Sequence, residues 1–213
     1  MNAPQPKRRW FQFSLRTLLI AMTVLCIGPG GYVAFEQGKA REKQGAVAAI
    51  EKLGGYVFYD EKAPARSGLT RLILGDDSFG NVNGVDFNPL KTENRQITGA
   101  DLRHLKSFPR LNHLVLKNCR QITDAGLAEL SGLANLQYLY LNDTPITDAG
   151  LVHLARLSSL EELSLTHTQV TGPGLAHLSG LTKLDFLYLY STGISPAGID
   201  ELQKALPKCR INR

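Results

Sequence analysis

The sequence predicts an α/β solenoid, with a parallel sheet on its concave face and short helices on its convex face, preceded by one N-terminal transmembrane helix. Three observations carry that reading. The first is an internal period: units open at Ile97, Ile122, Ile146, Val170 and Ile194, separated by 25, 24, 24 and 24 residues. The second is a change of spacing inside each unit. Leu151, Leu154 and Leu157 recur every third residue, as one face of a short helix does, whereas Leu163 and Leu165 alternate as in a strand. The third is a charge-free run of 19 residues from Thr17 to Phe35 behind a basic start.

A unit of one short helix and one strand cannot bury both apolar faces by itself, so successive units must stack on a shared core. The unit pattern, I-T-x-x-G-L-x-x-L-x-x-L-x-x-L-x-x-L-x-L-x-x-T, resembles a leucine-rich repeat, which makes the fold a leucine-rich repeat solenoid. The glycines Gly126, Gly150, Gly174 and Gly198 keep the same period. Thr147 stands where its hydroxyl can cap the helix, and Asp148 lies in the first turn, where the helix dipole favours an acid. Ser195 followed by Pro196 makes an equivalent start.

The array departs from its pattern at both ends, as terminal repeats must to cover open edges. Leu206, Cys209 and Ile211 suggest a last strand after the helix "AGIDELQKAL". Val85 and Phe87 suggest an early strand, and "NPLKTENRQ" inserts residues before Ile97. "SGLTRLILGDD" reads as a short helix or as another strand. "AVAAIEKLGGYVFYD" reads as a helix ending at Gly54 and Gly55, then a strand through Val57 and Phe58. The expected organisation is a basic cytoplasmic tail over 1–16, a membrane helix over 17–35, a juxtamembrane helix and N-terminal cap over 36–96, and repeats with a C-terminal cap over 97–213.

At about 1.5 Å per helical residue, Thr17 to Phe35 spans roughly 28 Å, close to the hydrocarbon thickness of a bilayer. Lys7, Arg8, Arg9 and Arg16 precede it without an acidic residue. The positive-inside rule then predicts a cytoplasmic N-terminus and repeats on the extracytoplasmic side of the cytoplasmic membrane. Trp10, Phe11 and Tyr32 fall where interfacial aromatics lie. A cleaved signal peptide is the rival reading, with Leu18 to Ile27 as its apolar stretch and Gly28 and Gly30 near a cleavage site. A lipoprotein signal is disfavoured because Val24 and Leu25, just before Cys26, are not small.

Charge fits the membrane reading. The chain carries 24 basic and 19 acidic residues, net +5. Four of the basic ones lie before residue 17, leaving 20 against 19, so the repeats carry no basic stripe for nucleic acid. The start "RRWFQFSLRTLL", with "AVAAIEKLGG", "LGDDSFGNVNGVDF" and the ITDAGLxxL units, resembles membrane-anchored leucine-rich repeat proteins of planctomycete bacteria. That resemblance implies fold and anchoring, and no common activity. The repeats, as in "KNCRQITDAGLAEL", are also similar to those of eukaryotic F-box proteins. Threonine replaces the usual cysteine at Thr144, Thr168 and Thr192, and no F-box-like segment precedes them, which argues against a ubiquitin-adaptor role.

No enzyme signature is present: neither a phosphate-binding G-x-x-x-x-G-K-[ST] nor a G-x-S-x-G nucleophile motif occurs. Glu161 and Glu162 point to opposite faces of a strand and cannot converge as acid and base. His104, His153 and His177 share one repeat position with Glu129, which invites a metal ladder, but that position belongs to partly exposed outer helices. Cys119 and Cys209 lie four strands apart, about 19 Å, too far for a disulfide. They are expected in the core. No metal or cofactor is expected.

What the repeat leaves open are the strand residues flanking each inward leucine, which alternation turns to the concave face. They are His113, Val115 and Lys117; Tyr138, Tyr140 and Asn142; Glu162, Ser164 and Thr166; and Phe186, Tyr188 and Tyr190. Four of the seven tyrosines belong to this set. Tyrosine supplies contact area and a hydroxyl together, although aromatics also suit strands for their own sake. The candidate partner-binding residues are therefore Tyr138, Tyr140, Asn142, Glu162, Phe186, Tyr188 and Tyr190. The expected function is non-catalytic binding of a protein, peptide or glycan at the membrane. The alternative is a structural envelope protein that associates laterally through its repeats.

Overall fold

The computed structural model describes residues 15–60, 82–87 and 97–213, with side chains from residue 31 onward. Five coils stack as the period requires. Their strands are β3 (His113–Val115), β4 (Tyr138–Tyr140), β5 (Glu162–Ser164), β6 (Phe186–Tyr188) and β7 (Arg210–Asn212). Each pairs in parallel with the next, in register, leucine beside leucine: Leu114, Leu139, Leu163 and Leu187, then Ile211. Identical register in every coil follows from the fixed repeat length, because a slip of one residue would turn the leucines out of the core.

At the N-terminal end the expected helix and strand are both present. Helix α1 runs Leu15–Lys52 and closes at Gly54, whose φ of 82° suits glycine. Strand β1 (Tyr56–Tyr59) follows and pairs antiparallel with β2 (Val82–Asp86), which begins the parallel run against β3. The reversal places a hairpin-like pair at the end of the sheet. The last part of α1 occupies the place of a convex helix, burying Ala46, Val47 and Ile50, while the Ser107 hydroxyl donates to Glu42 Oε1 at 3.2 Å. A single helix therefore joins the apolar stretch to the cap. Among the described residues no helix is long and apolar enough to cross a membrane. Most of the 17–35 stretch, like the basic tail, "SGLTRLILGDD", "NPLKTENRQ" and the Cys26 side chain, lies outside the side chains described.

The convex side is built from short helices of two kinds. Asp148–Leu154 and Pro196–Ala205 are α-helical, Asp124–Leu127 is a single α turn continued as a 3₁₀ turn over Ala128–Gly132, and Gly99–Ser107 and Gly172–Leu178 are wholly 3₁₀. A leucine every third residue suits the three-residue turn of a 3₁₀ helix at least as well as an α-helix. The core between sheet and helices is a column of leucines, with Leu114, Leu139, Leu154, Leu160, Leu163 and Leu187 inaccessible to solvent.

Two repeat positions do more than the sequence suggested. Asp124 and Asp148 staple one coil to the next rather than only facing a helix dipole. The Thr147 amide donates to Asp124 Oδ1 at 2.9 Å and the Thr147 hydroxyl to Oδ2 at 2.6 Å; the Thr171 amide and hydroxyl bind Asp148 in the same way. Thr147 also accepts from the Ala149 amide at 3.3 Å, the cap expected of it. Removing the staple with Asp124→Ala is expected to cost about 1–3 kcal/mol, since it strands an amide and a hydroxyl at a coil interface. Urea denaturation of wild type and variant reads that difference.

The second position is the turn after each strand. Asn118, Asp143, His167 and Ser191 all adopt positive φ, between 53° and 60°. The residue that follows satisfies itself on the carbonyl three residues back: the hydroxyls of Thr144, Thr168 and Thr192 donate to Leu141, Leu165 and Leu189 at 2.6, 2.6 and 2.7 Å. Cys119 takes the same place in its own coil and points its thiol at the Phe87 carbonyl, 3.6 Å away. Cys119 and Cys209 are both buried and free. Burial, aided by Asp86, pushes the Cys119 thiol up to about 12; burial, aided by Asp185, pushes Cys209 up to about 11.

The concave face as candidate functional site

Strand alternation and parallel register combine into two rows of side chains across the inner face. The first row runs Phe58, Gly84, His113, Tyr138, Glu162, Phe186, Arg210, and the second Tyr56, Asp86, Val115, Tyr140, Ser164, Tyr188, Asn212. The site therefore includes residues that the repeat pattern did not reach. Phe58 and Tyr56 come from β1, outside the repeats, and are about half exposed, at 47% and 45%. Phe58 packs on Gly84, where a Cβ would meet the Phe58 ring at 3.1 Å. The signal was present in "YVFYD", a strand with aromatic residues on its outward positions, but its antiparallel pairing to β2 is invisible without the fold.

The sequence-predicted residues separate into distinct environments. Tyr138, Tyr140, Glu162, Phe186 and Tyr188 stand side by side on three successive strands, partly exposed. Val115 and Ser164 are buried beneath their neighbours, at 8% and 3% exposure. Tyr190 lies beyond β6 and is 46% exposed, at the margin of the cluster. Asn142 lies two residues past β4, and its Oδ1 is buried without a hydrogen-bond partner.

A chain of contacts organises the centre. The His113 ring lies 5.7 Å from Tyr138 and 5.5 Å from Tyr140, tilted against both. Lys117 Nζ sits over the Tyr140 ring at 4.7 Å, and the Tyr140 hydroxyl donates to Glu162 Oε1 at 2.8 Å. On the far side the Arg210 guanidinium lies over the Phe186 ring at 5.5 Å. Burial, then the hydrogen bond and charge of Glu162, raise the Tyr140 hydroxyl far above its ordinary range, so it remains a donor. Burial lowers His113, against the pull of Asp86 and Glu162 and with the help of Lys117, which keeps the imidazole neutral near pH 7.

The other candidate features are structural. Glu161 faces away from Glu162 and accepts from Gln137 Nε2 at 2.8 Å, so the two carboxylates do not converge. Glu129 in the histidine column is drawn to Lys106 at 2.6 Å, and among the described residues no group of acidic, histidine and cysteine side chains could hold a metal ion. A shallow groove on the turn rim is lined by Arg120, Asp143, His167 and Gln169, with His167 Nδ1 3.1 Å from Asp143 Oδ1.

A parallel sheet inside, short helices outside and a coil of 24 residues define the class, a solenoid of leucine-rich repeats. The leucine-rich repeat family model matches residues 132–155 and 156–179, the two coils at the middle of the concave cluster. No curated protein matches the chain. Among solved structures it is similar to internalin C2 of Listeria monocytogenes, at 28% identity over 65% of this chain and 64% of that one, with a TM-score of 0.47. It is also similar to a leucine-rich repeat protein of Leptospira interrogans, at 27% identity over 52% of this chain and 27% of that one, TM-score 0.41. A further likeness is to an internalin F of Listeria monocytogenes, at 26% identity over 55% and 38%, TM-score 0.39. The chain spans less than two thirds of each. Leucine-rich repeat proteins are typically non-catalytic modules that bind other proteins.

Proposed function

We propose that the solenoid is a membrane-anchored binding module that grips a protein partner on its concave face, outside the cytoplasmic membrane. The observation that carries the binding half is the cluster of Tyr138, Tyr140, Phe186 and Tyr188, partly exposed and held in register on β4 and β6 on either side of β5. Such a surface offers large rigid contact area at low entropic cost, with hydroxyls and charges placed for specificity. A peptide or glycan that lies across the strands is the same reading with a smaller ligand. The anchoring half is supported by the basic start, the charge-free stretch 17–35 and the planctomycete-type sequence around them, together with a helix that continues without a break into the cap. The convex helices, held to one another by aspartate staples and glycine contacts, are the scaffold.

Joint replacement of Tyr140 and Tyr188 by alanine is expected to abolish capture of the partner from envelope extracts while leaving the circular dichroism spectrum unchanged. Undiminished capture by a folded variant would remove the concave face from the proposal. Topology is tested separately by protease treatment of intact cells whose outer layers alone are permeabilised. Digestion of the repeats at that stage is expected; digestion only after the cytoplasmic membrane is breached would place them inside.

A further inference from the structure

The centre of the concave face holds a carboxylate in an unusual company. Glu162 stands between Tyr138 and Phe186 in the first row, and beside it in the second row Ser164 stands between Tyr140 and Tyr188. Because Ser164 is small and buried, the four aromatic residues of β4 and β6 rise on both sides of β5, and Glu162 is the charged group between them. Its Oε1 accepts the Tyr140 hydroxyl, which satisfies one oxygen without neutralising the charge.

Two cations of the face are engaged on its aromatic rings. Lys117 lies over the ring of Tyr140 and Arg210 over the ring of Phe186, each from the strand on the side away from β5. Among the described residues Glu162 therefore has no ion-pair partner on the protein. A carboxylate accepts hydrogen bonds only, and aromatic faces attract cations through their quadrupole. An anionic group placed there is repelled by the carboxylate and the π faces, and a neutral donor satisfies a carboxylate oxygen without compensating its charge. A cationic side chain meets both.

We propose that Glu162, with Tyr138, Tyr140, Phe186 and Tyr188, forms a subsite for a lysine or arginine side chain of the protein partner. The subsite rests on the reading of the concave face as the binding surface and adds the chemistry of what it takes. The partner's basic residue seats its ammonium or guanidinium against the second oxygen of Glu162 while its methylene stem lies along the rings. Lys117 and Arg210, positive on either side, repel a second basic residue at the neighbouring strands and favour an isolated one, or one flanked by acids.

The test uses the full chain in detergent micelles with ring-labelled tyrosine, titrated with N-acetyl-arginine amide, N-acetyl-lysine amide and the neutral N-acetyl-citrulline amide. The two cationic probes are expected to shift the signals of Tyr138 and Tyr140 and to half-saturate at a concentration at least about 10-fold below citrulline. Glu162→Gln, which keeps shape and a hydrogen-bond acceptor, is expected to remove that preference, and Glu162→Asp to retain part of it. Equal binding of citrulline, no shift with any probe, or an unchanged preference in Glu162→Gln each overturns the subsite. If the tyrosine double variant loses its partner while the probes show no charge preference, the concave face still binds and only the cationic subsite falls. If neither experiment responds, both readings fall.

Discussion

Leu163→Ala is expected to cost about 2–5 kcal/mol, the range for emptying a fully buried leucine site that cannot collapse around the loss. Leu163 is inaccessible to solvent and sits on β5, in register with Leu139 on one side and Leu187 on the other. In a stacked array each coil is held only by its neighbours, so a cavity in the middle coil weakens the coupling of the two flanks as well as its own coil. Against a typical domain stability of about 5–15 kcal/mol the loss is a large share. Urea denaturation followed by circular dichroism should show a lowered midpoint, and a broadened or split transition where the two flanks separate. The same truncation at Leu206, in the last coil and neighboured on one side only, is expected to cost less.

Gly126→Ala is expected to destabilise by about 1–3 kcal/mol or more, even though alanine is the better helix former by about 1 kcal/mol. A Cβ at Gly126 would stand 2.7 Å from the Gly99 Cα, so two backbones would have to part. Gly150 offers a contrast. There the obstacle to a Cβ is Asp124 Oδ1, so the side chain can turn away at the expense of its bonds to Thr147. Gly150→Ala is therefore expected to cost less than Gly126→Ala, and no more than loss of the staple itself in Asp124→Ala. At Gly126 the obstacle is the Gly99 backbone, so no side chain is present to turn away. Thermal midpoints of the three variants would rank them, and a Gly126→Ala variant as stable as wild type would contradict the close coil contact.

The coil was legible in the sequence because every position that builds it repeats. The period, the inward leucines, the caps at Thr147 and Ser195 and the strand at Val57 all follow from local spacing. The aspartate staple was not legible, since Asp124 acts on Thr147 of the next coil and a local reading sees only a helix start. The explanation of the glycine column escaped for the same reason: Gly150 and Gly174 make room for an aspartate of the preceding coil, whereas Gly126 and Gly198 meet a glycine there. The left-handed turn position was hidden because four different residues, Asn118, Asp143, His167 and Ser191, occupy it. On the concave face, alternation alone identified Tyr138, Tyr140, Glu162, Phe186 and Tyr188. It could not extend the rows to Tyr56, Phe58 and Arg210, which depend on sheet pairing at the two ends, nor reveal that Ser164 and Val115 lie beneath their neighbours.

The claim that the concave face is the working surface is tested most directly by a photo-crosslinking scan in the cells that express the protein. A photoreactive phenylalanine analogue is introduced singly at Tyr138, Phe186 and Tyr188 on the inner face and at Val152, Arg156 and Lys183 on the outer side. The same crosslinked species from all three inner positions and none from the outer three is the predicted result. Crosslinks confined to the outer positions, or spread evenly over both sets, would contradict it.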